Sequence, residues 1–353
     1  MGRPMSKLQI GLAIAGGLVL AALVAHGAWV TRRNQPRLAE PEPQPIEPHG
    51  LGELVLDPAA PTAPGRLDDD ALLLPPALEK RPLMDPLIDV IAAIELEQSV
   101  AGEAVLLHMP ATRRVGSKPY AIEGLDDASG QWEPPQAGRR YRALQAGVQL
   151  ANRAGALNEI EYSEFVVKTQ ALADALGGAS EVPDMLDAVA RGRELDSFAS
   201  AHDAQLSITL RARHTAWSAG YVQQNAARLG FVAGVLPGRM VLPAASAGQS
   251  PLLGLQYDAQ AALAEDPAQT AIRDVTLSLD VAQVPRAEQP YVRLREAAGR
   301  LAEVMDGQLT DDNGRPLTRD AMDLIGAELE NLYDRLDARE LSAGSALARR
   351  LFS

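Results

Sequence analysis

The residues able to do chemistry are few and scattered. His26, His49, His108, His202 and His214 are the only histidines, and none stands beside a second ligand at metal-binding spacing. The chain has no cysteine, which removes disulfides, thiolate nucleophiles and every sulfur-based zinc or iron site. Neither GxSxG, GxxxxGKS/T nor HExxH occurs, and the GLG at Gly50 sits in proline-rich sequence instead of between a strand and a helix. Asp311-Asp312-Asn313-Gly314 has the texture of a calcium loop. A glycine at loop position six would, however, place Leu309 where a carboxylate is required, so a tight turn is expected. Carboxylates are plentiful and none is set apart as a general acid or base. These residues point away from an enzyme, a metal site or a cofactor, and towards a chain that holds a partner.

Charge narrows the partner. The 353 residues carry 33 basic and 46 acidic side chains, a net charge of −13, so a phosphate backbone would repel the chain and nucleic acid is not expected. With 46% hydrophobic residues the bulk is globular, and the length suggests about two domains.

The elements that would position a binding surface begin with a membrane segment. Leu8 to Val30 is an uncharged apolar run ending at Trp29 and followed by Arg32, Arg33 and Arg37. As a helix at 1.5 Å per residue it reaches roughly 35 Å, enough for a hydrocarbon core of about 30 Å. The rival is a cleaved signal peptide, with Arg3 and Lys7 ahead of the run and Ala25-His26-Gly27 as its site. An apolar run longer than an ordinary signal core, with arginines behind it, favours an uncleaved anchor over residues 1–33. Basic residues nearly balance across it, so charge leaves the orientation open. Ala13, Gly17, Ala21 and Ala25 form a small-residue stripe through which the helix could self-associate. Residues 34–86 hold about half of the 25 prolines and read as a flexible tether, about 160 Å if extended and about 40 Å as a coil.

Beyond the tether an α+β pattern is expected twice. From Gln205 the order is strand, helix, four strands, helix, strand, helix: QLSITLR, a helix over Gly220–Leu229, strands at Phe231–Leu236, Arg239–Leu242, Leu252–Tyr257 and DVTLSLDV, a helix behind Pro290, a strand near Gln308–Thr310, and a last helix capped by Thr318. This implies an antiparallel sheet with helices on one face. Residues 87–201 repeat the plan in degraded form, since Val148–Gly178 parallels Leu277–Gly307 in strand, loop and glycine-terminated helix. The expected division is therefore an anchor at 1–33, a tether at 34–86, tandem related modules at 87–201 and 202–338, and a tail at 339–353.

VAHGAWVTRR at the anchor, QLSITLRAR with its helix and RLGFVAG, and DVTLSLDV through LTDDNGRPLT together resemble the ZipA family of bacterial division proteins, which link the tubulin-like FtsZ polymer to the inner membrane. The resemblance covers the anchor and about the last 140 residues. It implies a periplasmic N-terminus, a cytoplasmic C-terminal bulk, and a sheet face that receives the C-terminal peptide of FtsZ, with no catalysis and no cofactor. Carried onto this sequence, the face comprises Gln205, Ser207, Thr209, Leu236, Asp258 and Ser278, with Arg315 at its rim, and the anchor comprises Leu8, Trp29, Arg32 and Arg33. Where the family presents branched or aromatic side chains, this chain mostly presents Gln, Ser, Thr and Asp. Either tethering compensates for modest affinity or the apolar site lies elsewhere. The alternatives from other classes are an exported periplasmic ligand-binding protein and an adaptor for another division or envelope protein.

Overall fold

Alternation in DVTLSLDV and QLSITLR places leucine, isoleucine and valine on one side of two neighbouring strands, and the same rule organises both halves of the chain. The computed structural model describes residues 36–39, 84–245, 249–266 and 270–353. The expected anchor, with Leu8, Trp29, Arg32 and Arg33, and nearly all of the tether fall outside those residues. Among the described residues no helix is long and apolar enough to cross a membrane.

The first half runs β1 (Asp89–Ala101), α1 (Gly102–His108), β2 (Arg114–Val115), β3 (Lys118–Asp126), β4 (Trp132–Glu133), β5 (Arg140–Gln149), β6 (Ala151–Asn152), β7 (Gly155–Ala156), α2 (Glu159–Ala175), β8 (Gly178–Glu181) and α3 (Met185–His202). Its sheet has the order β2-β3-β5-β1-β8, with β4 on β3. Val90, Ala92 and Ile94 of β1 and Leu144, Ala146 and Val148 of β5 are buried, as are Phe165 and Leu172 of α2. Phe165 meets Tyr120 and Tyr162 edge to face at centroid distances of 6.0 and 5.9 Å. Asn158 and Glu161 close α2 with a capping box.

The second half runs β9 (Gln205–Ala212), α4 (Ala219–Ala227), β10 (Val232–Ala233), β11 (Arg239–Leu242), β12 (Leu253–Gln256), α5 (Ala259–Leu263), β13 (Asp274–Asp280), α6 (Pro290–Met305), β14 (Gly307–Thr310), α7 (Arg319–Ala338) and α8 (Ala346–Leu351). The order of this sheet is β10-β11-β12-β13-β9-β14. In each sheet the opening strand lies between the strand before the long helix and the strand after it: β5-β1-β8 in one, β13-β9-β14 in the other. The named strands pair antiparallel throughout, so the architecture is α+β. Leu294, Ala298, Leu301 and Met305 of α6 are buried as that helix packs on β9, β13 and β14.

Two departures from the expected elements have local causes. The strand expected over Phe231–Leu236 shrinks to β10, because the chain turns back at Gly234, whose amide donates to Arg239 O at 2.9 Å. The Pro237-Gly238 turn then closes with Gly238 at φ +72°, where a Cβ would stand 2.6 Å from Tyr257 O, so only glycine fits. The short helix α5 interrupts the strands where Asp258 caps it, accepting from Gln260 N at 2.8 Å.

Residues 339–353 close the molecule. Leu341, Ala348, Leu351 and Phe352 are buried, and α8 lies between the halves. Arg350 makes two bonds to Asp89 of β1, Nη2 to Oδ1 at 2.6 Å and Nη1 to Oδ2 at 2.9 Å. The orphan carbonyls at the end of α8 accept from both sides: Arg350 O from Gln149 Nε2 and Phe352 O from Gln283 Nε2, each at 2.8 Å. Beside it Arg153 of the first half donates to Asp203 and to Asp280 of β13 at 2.7 to 2.9 Å. Burial raises the Asp89 pKa above the usual carboxylate range, and Arg350 opposes this only in part.

Two expectations follow for stability. Arg350→Met leaves the Asp89 carboxylate, only 1% exposed, without its cation and should cost about 3–5 kcal/mol in urea unfolding. Asp89→Leu combined with Arg350→Met should recover most of that loss, and a double variant no better than Arg350→Met would refute this account. Among the described residues the buried hydroxyl of Tyr333 on α7 has no hydrogen-bond partner, and burial, reinforced by Glu330 and opposed by Arg286, pushes its pKa up to about 12. A phenol whose folded pKa is raised contributes stability that is intact below its unfolded pKa of about 10 and is lost as pH rises through the folded one. Tyr333→Phe should therefore flatten the alkaline loss of stability above about pH 10. At pH 7 it should cost no more than about 1 kcal/mol.

Candidate functional site

The surface of the second sheet that faces away from α6 is built from the alternate positions of its strands. Register pairs Arg211 with Asp274, Thr209 with Thr276, Ser207 with Ser278 and Gln205 with Asp280. Gly254 and Gln256 of β12 continue the rows from Ser278 and Thr276. Because the inward positions Leu210, Val275, Leu277 and Leu279 take the apolar side chains, this outer face is left with hydroxyls, amides and charges.

Those polar groups largely satisfy one another. Ser207 Oγ donates to Asp312 Oδ1 at 2.5 Å, and the hydroxyls of Thr209 and Thr276 meet at 3.3 Å. Arg211 Nε donates to Asp274 Oδ1 at 2.8 Å, and that hydrogen bond is the main reason its pKa is raised. Gln205, with its amide oxygen turned to Arg153, accepts at 3.0 and 3.2 Å, so it belongs to the junction between the halves. Ser278 remains exposed, opposite a glycine: a Cβ on Gly254 would stand 2.5 Å from Ser278 Oγ. Arg315 lies in the turn after β14, where Asp311 Oδ1 accepts from its amide at 2.7 Å and from that of Asn313 at 2.9 Å.

The expected site residues thus fall into two groups. Ser207, Thr209 and Ser278 share the centre of the sheet, with Gln205 at the junction end and Arg315 beyond β14. Leu236 and Asp258 lie at the opposite edge, where the apolar surface is. The turn joining β10 and β11 holds Val235 fully exposed and Leu236 55% exposed, with Val232 and Leu263 also exposed nearby. Leu236 and Pro237 form a ridge between two grooves. One, of about 760 Å³, reaches from Asp258 and Leu263 to Gln256 and Thr276 on the sheet. The other, of about 1110 Å³, runs along Gly220, Gln223 and Ala227 of α4 to Tyr257. Gln223 Nε2 donates to the Tyr257 hydroxyl at 2.6 Å across it.

Val232, Val235 and Leu263 were not among the residues expected from sequence. The signal was present in RLGFVAGVLPG, but an apolar run bounded by glycines reads as a buried strand until the early turn at Gly234 is known. The arrangement suits capture of an extended segment: apolar anchors on a ridge at the sheet edge, hydroxyl-bearing strands beside it.

One buried pair with reactive potential lies outside this surface. Lys118 Nζ donates to Ser117 Oγ at 2.8 Å and to Asn152 Oδ1 at 3.1 Å, and burial lowers its pKa. Ser117 Oγ in turn donates to Glu161 Oε1 at 2.8 Å. The lysine is wholly buried, so the chain of bonds stitches β3 to β6 and α2 without presenting a nucleophile.

Residues 263–328, from the end of α5 into α7, match the family model described as ZipA, C-terminal FtsZ-binding domain. Over that stretch, which includes Leu263, Ser278 and Arg315, the chain is similar to the ZipA C-terminal domain family. A search of curated proteins finds no match.

At the centre of the face, Gly254→Val should lower stability by about 1–3 kcal/mol through the clash with Ser278. Gly254→Val with Ser278→Gly should regain part of it, a coupling that paired thermal melts would measure.

Proposed function

We propose that this chain is a membrane-anchored division protein whose second module binds the C-terminal peptide of FtsZ and so tethers the polymer to the inner membrane during septum assembly. The observation that carries this reading is the match of residues 263–328 to the ZipA C-terminal FtsZ-binding domain. Residues 1–33 supply the anchor, with the N-terminus periplasmic and the bulk of the chain cytoplasmic, and residues 34–86 the tether. The modules at 87–201 and 202–338 are tandem relatives, a reading supported by the shared placement of the opening strand in β5-β1-β8 and β13-β9-β14.

The peptide lies along the ridge of Val235 and Leu236 and across the strands that carry Thr209, Thr276 and Ser278. The polar centre supplies few apolar contacts, so the exposed Val235, Leu236 and Leu263 provide the main hydrophobic gain, about 1.5–3 kcal/mol for each large side chain fully buried. Weak single contacts suffice, because the polymer displays its peptide many times and the anchored chains engage it together.

Purified full-length chain in detergent should co-sediment with FtsZ polymers and lose that capture when FtsZ lacks its C-terminal tail. Unchanged capture of tailless FtsZ would point to the adaptor reading, and no capture at all would sink the proposal. Leu236→Asp should weaken peptide binding about 10- to 100-fold, the loss of one buried apolar anchor, as read by fluorescence anisotropy. Ser278→Asp should weaken it less, about tenfold at most, through desolvation of the added charge. A reporter fused after Ser353 should be active only as a cytoplasmic form. Activity confined to a periplasm-dependent reporter would favour the exported alternative.

A further inference from the structure

Residues 36–39 lie far in sequence from the folded halves, yet they are built into the second one. Arg37 bridges Trp217 in parallel while Trp217 pairs antiparallel with Ile272, so a short three-stranded patch forms at the entrance to α4. Arg37 N donates to Ala216 O at 2.7 Å, and Ser218 N donates to Arg37 O at 2.9 Å. Ala216 and Ser218 are buried, and Ser218 caps α4. The segment therefore satisfies backbone groups at a position where an orphan is costly. The Arg37 guanidinium reaches Asp306 Oδ2 at 3.2 Å. His214 Nδ1 meets the same oxygen at 3.1 Å, and the Asp306 carboxyl is held below its usual range by His214 first, with Arg37 and Arg213 adding to it. Ala39 then lies on α4 as part of the lining of the larger groove.

We propose that Pro36–Ala39 is an intramolecular docking strand, and that the surface formed by Ala216–Gly220 and Asp306 is its receptor. Docking places the second module next to the arginines that follow the apolar run: the four residues from Arg33 to Arg37 span at most about 14 Å. Release of the strap removes this short leash. The consequence for reach rests on the anchor reading above. The docking itself does not, and neither membrane nor FtsZ is needed to test it.

The absence of cysteine makes the contact directly readable. Ala39 Cβ is 3.6 Å from the position of a Cβ on Gly220, within the 3.5–4.5 Å range of a disulfide. In full-length chain in detergent, Ala39→Cys with Gly220→Cys should oxidise to a faster-migrating monomer at least about tenfold faster than Ala39→Cys with Leu186→Cys on α3. Arg37→Pro, which removes the donor to Ala216 O, should slow the first pair to the rate of the second. Equal rates for the two pairs, insensitivity to Arg37→Pro, or a crosslinked dimer in place of the monomer would overturn the proposal. Hydrogen exchange supplies a readout without cysteines: the Ser218 amide should exchange at least about tenfold faster in Arg37→Pro than in the unmodified chain, and unchanged protection would also overturn it.

Discussion

A carboxylate buried at the start of β1 needs a cation, and in this chain the cation comes from the last helix. Asp89 is nearly sealed from solvent, and its own segment offers it the Asp85 amide at 2.8 Å. Arg350 closes the gap with two hydrogen bonds. Because burying an unpaired charge is so unfavourable, a placement of α8 in which Arg350 reaches Asp89 is favoured over one that leaves the carboxylate alone. Once there, its terminal carbonyls are taken up by a glutamine from each half, and Arg153 binds Asp203 and Asp280 beside it. This ion pair, the α8 carbonyl bonds and the Arg153 contacts together join the two ends of the folded region at the junction of the sheets.

That junction also shapes the outer face of the second sheet, the candidate binding surface. Arg153 occupies Asp280 and Gln205, which closes one end of the outer face of the second sheet. Asp312 occupies Ser207. What remains open lies towards β11 and β12, and the apolar ridge of Val235 and Leu236 stands at that end. A face whose hydroxyls already bond to one another has little to offer an incoming segment, so the apolar area available for burial is concentrated at the edge.

Much of the second half was legible as pattern. Val275, Leu277, Leu279 and Val281 alternate in sequence and are all buried, as are Tyr291, Leu294, Ala298, Leu301 and Met305 at helical spacing. Thr318 caps its helix through a bond from Ala321 N at 3.2 Å. The site was less legible. Thr209 and Ser278 do lie on the outer face, but Gln205 turned to Arg153 and Asp258 became a helix cap, because each found a partner that only the fold brings near. Leu236 stayed exposed because Gly234 and Gly238 turn the chain early, which periodicity does not register.

The sequence by itself determined which faces of the main strands and long helices of the second half are apolar, where Thr318 caps its helix, that no thiol chemistry is possible, and that residues 263–328 are similar to the ZipA C-terminal domain. Periodicity and capping are local, so neighbouring residues suffice to decide them. The tertiary structure alone decided that Arg350 belongs to Asp89, that Arg37 lies beside Trp217, and that an apolar ridge at the sheet edge stands exposed while the polar centre of the sheet is largely self-satisfied. Those outcomes depend on which distant groups can desolvate one another, and desolvation is settled by three-dimensional proximity and not by order along the chain.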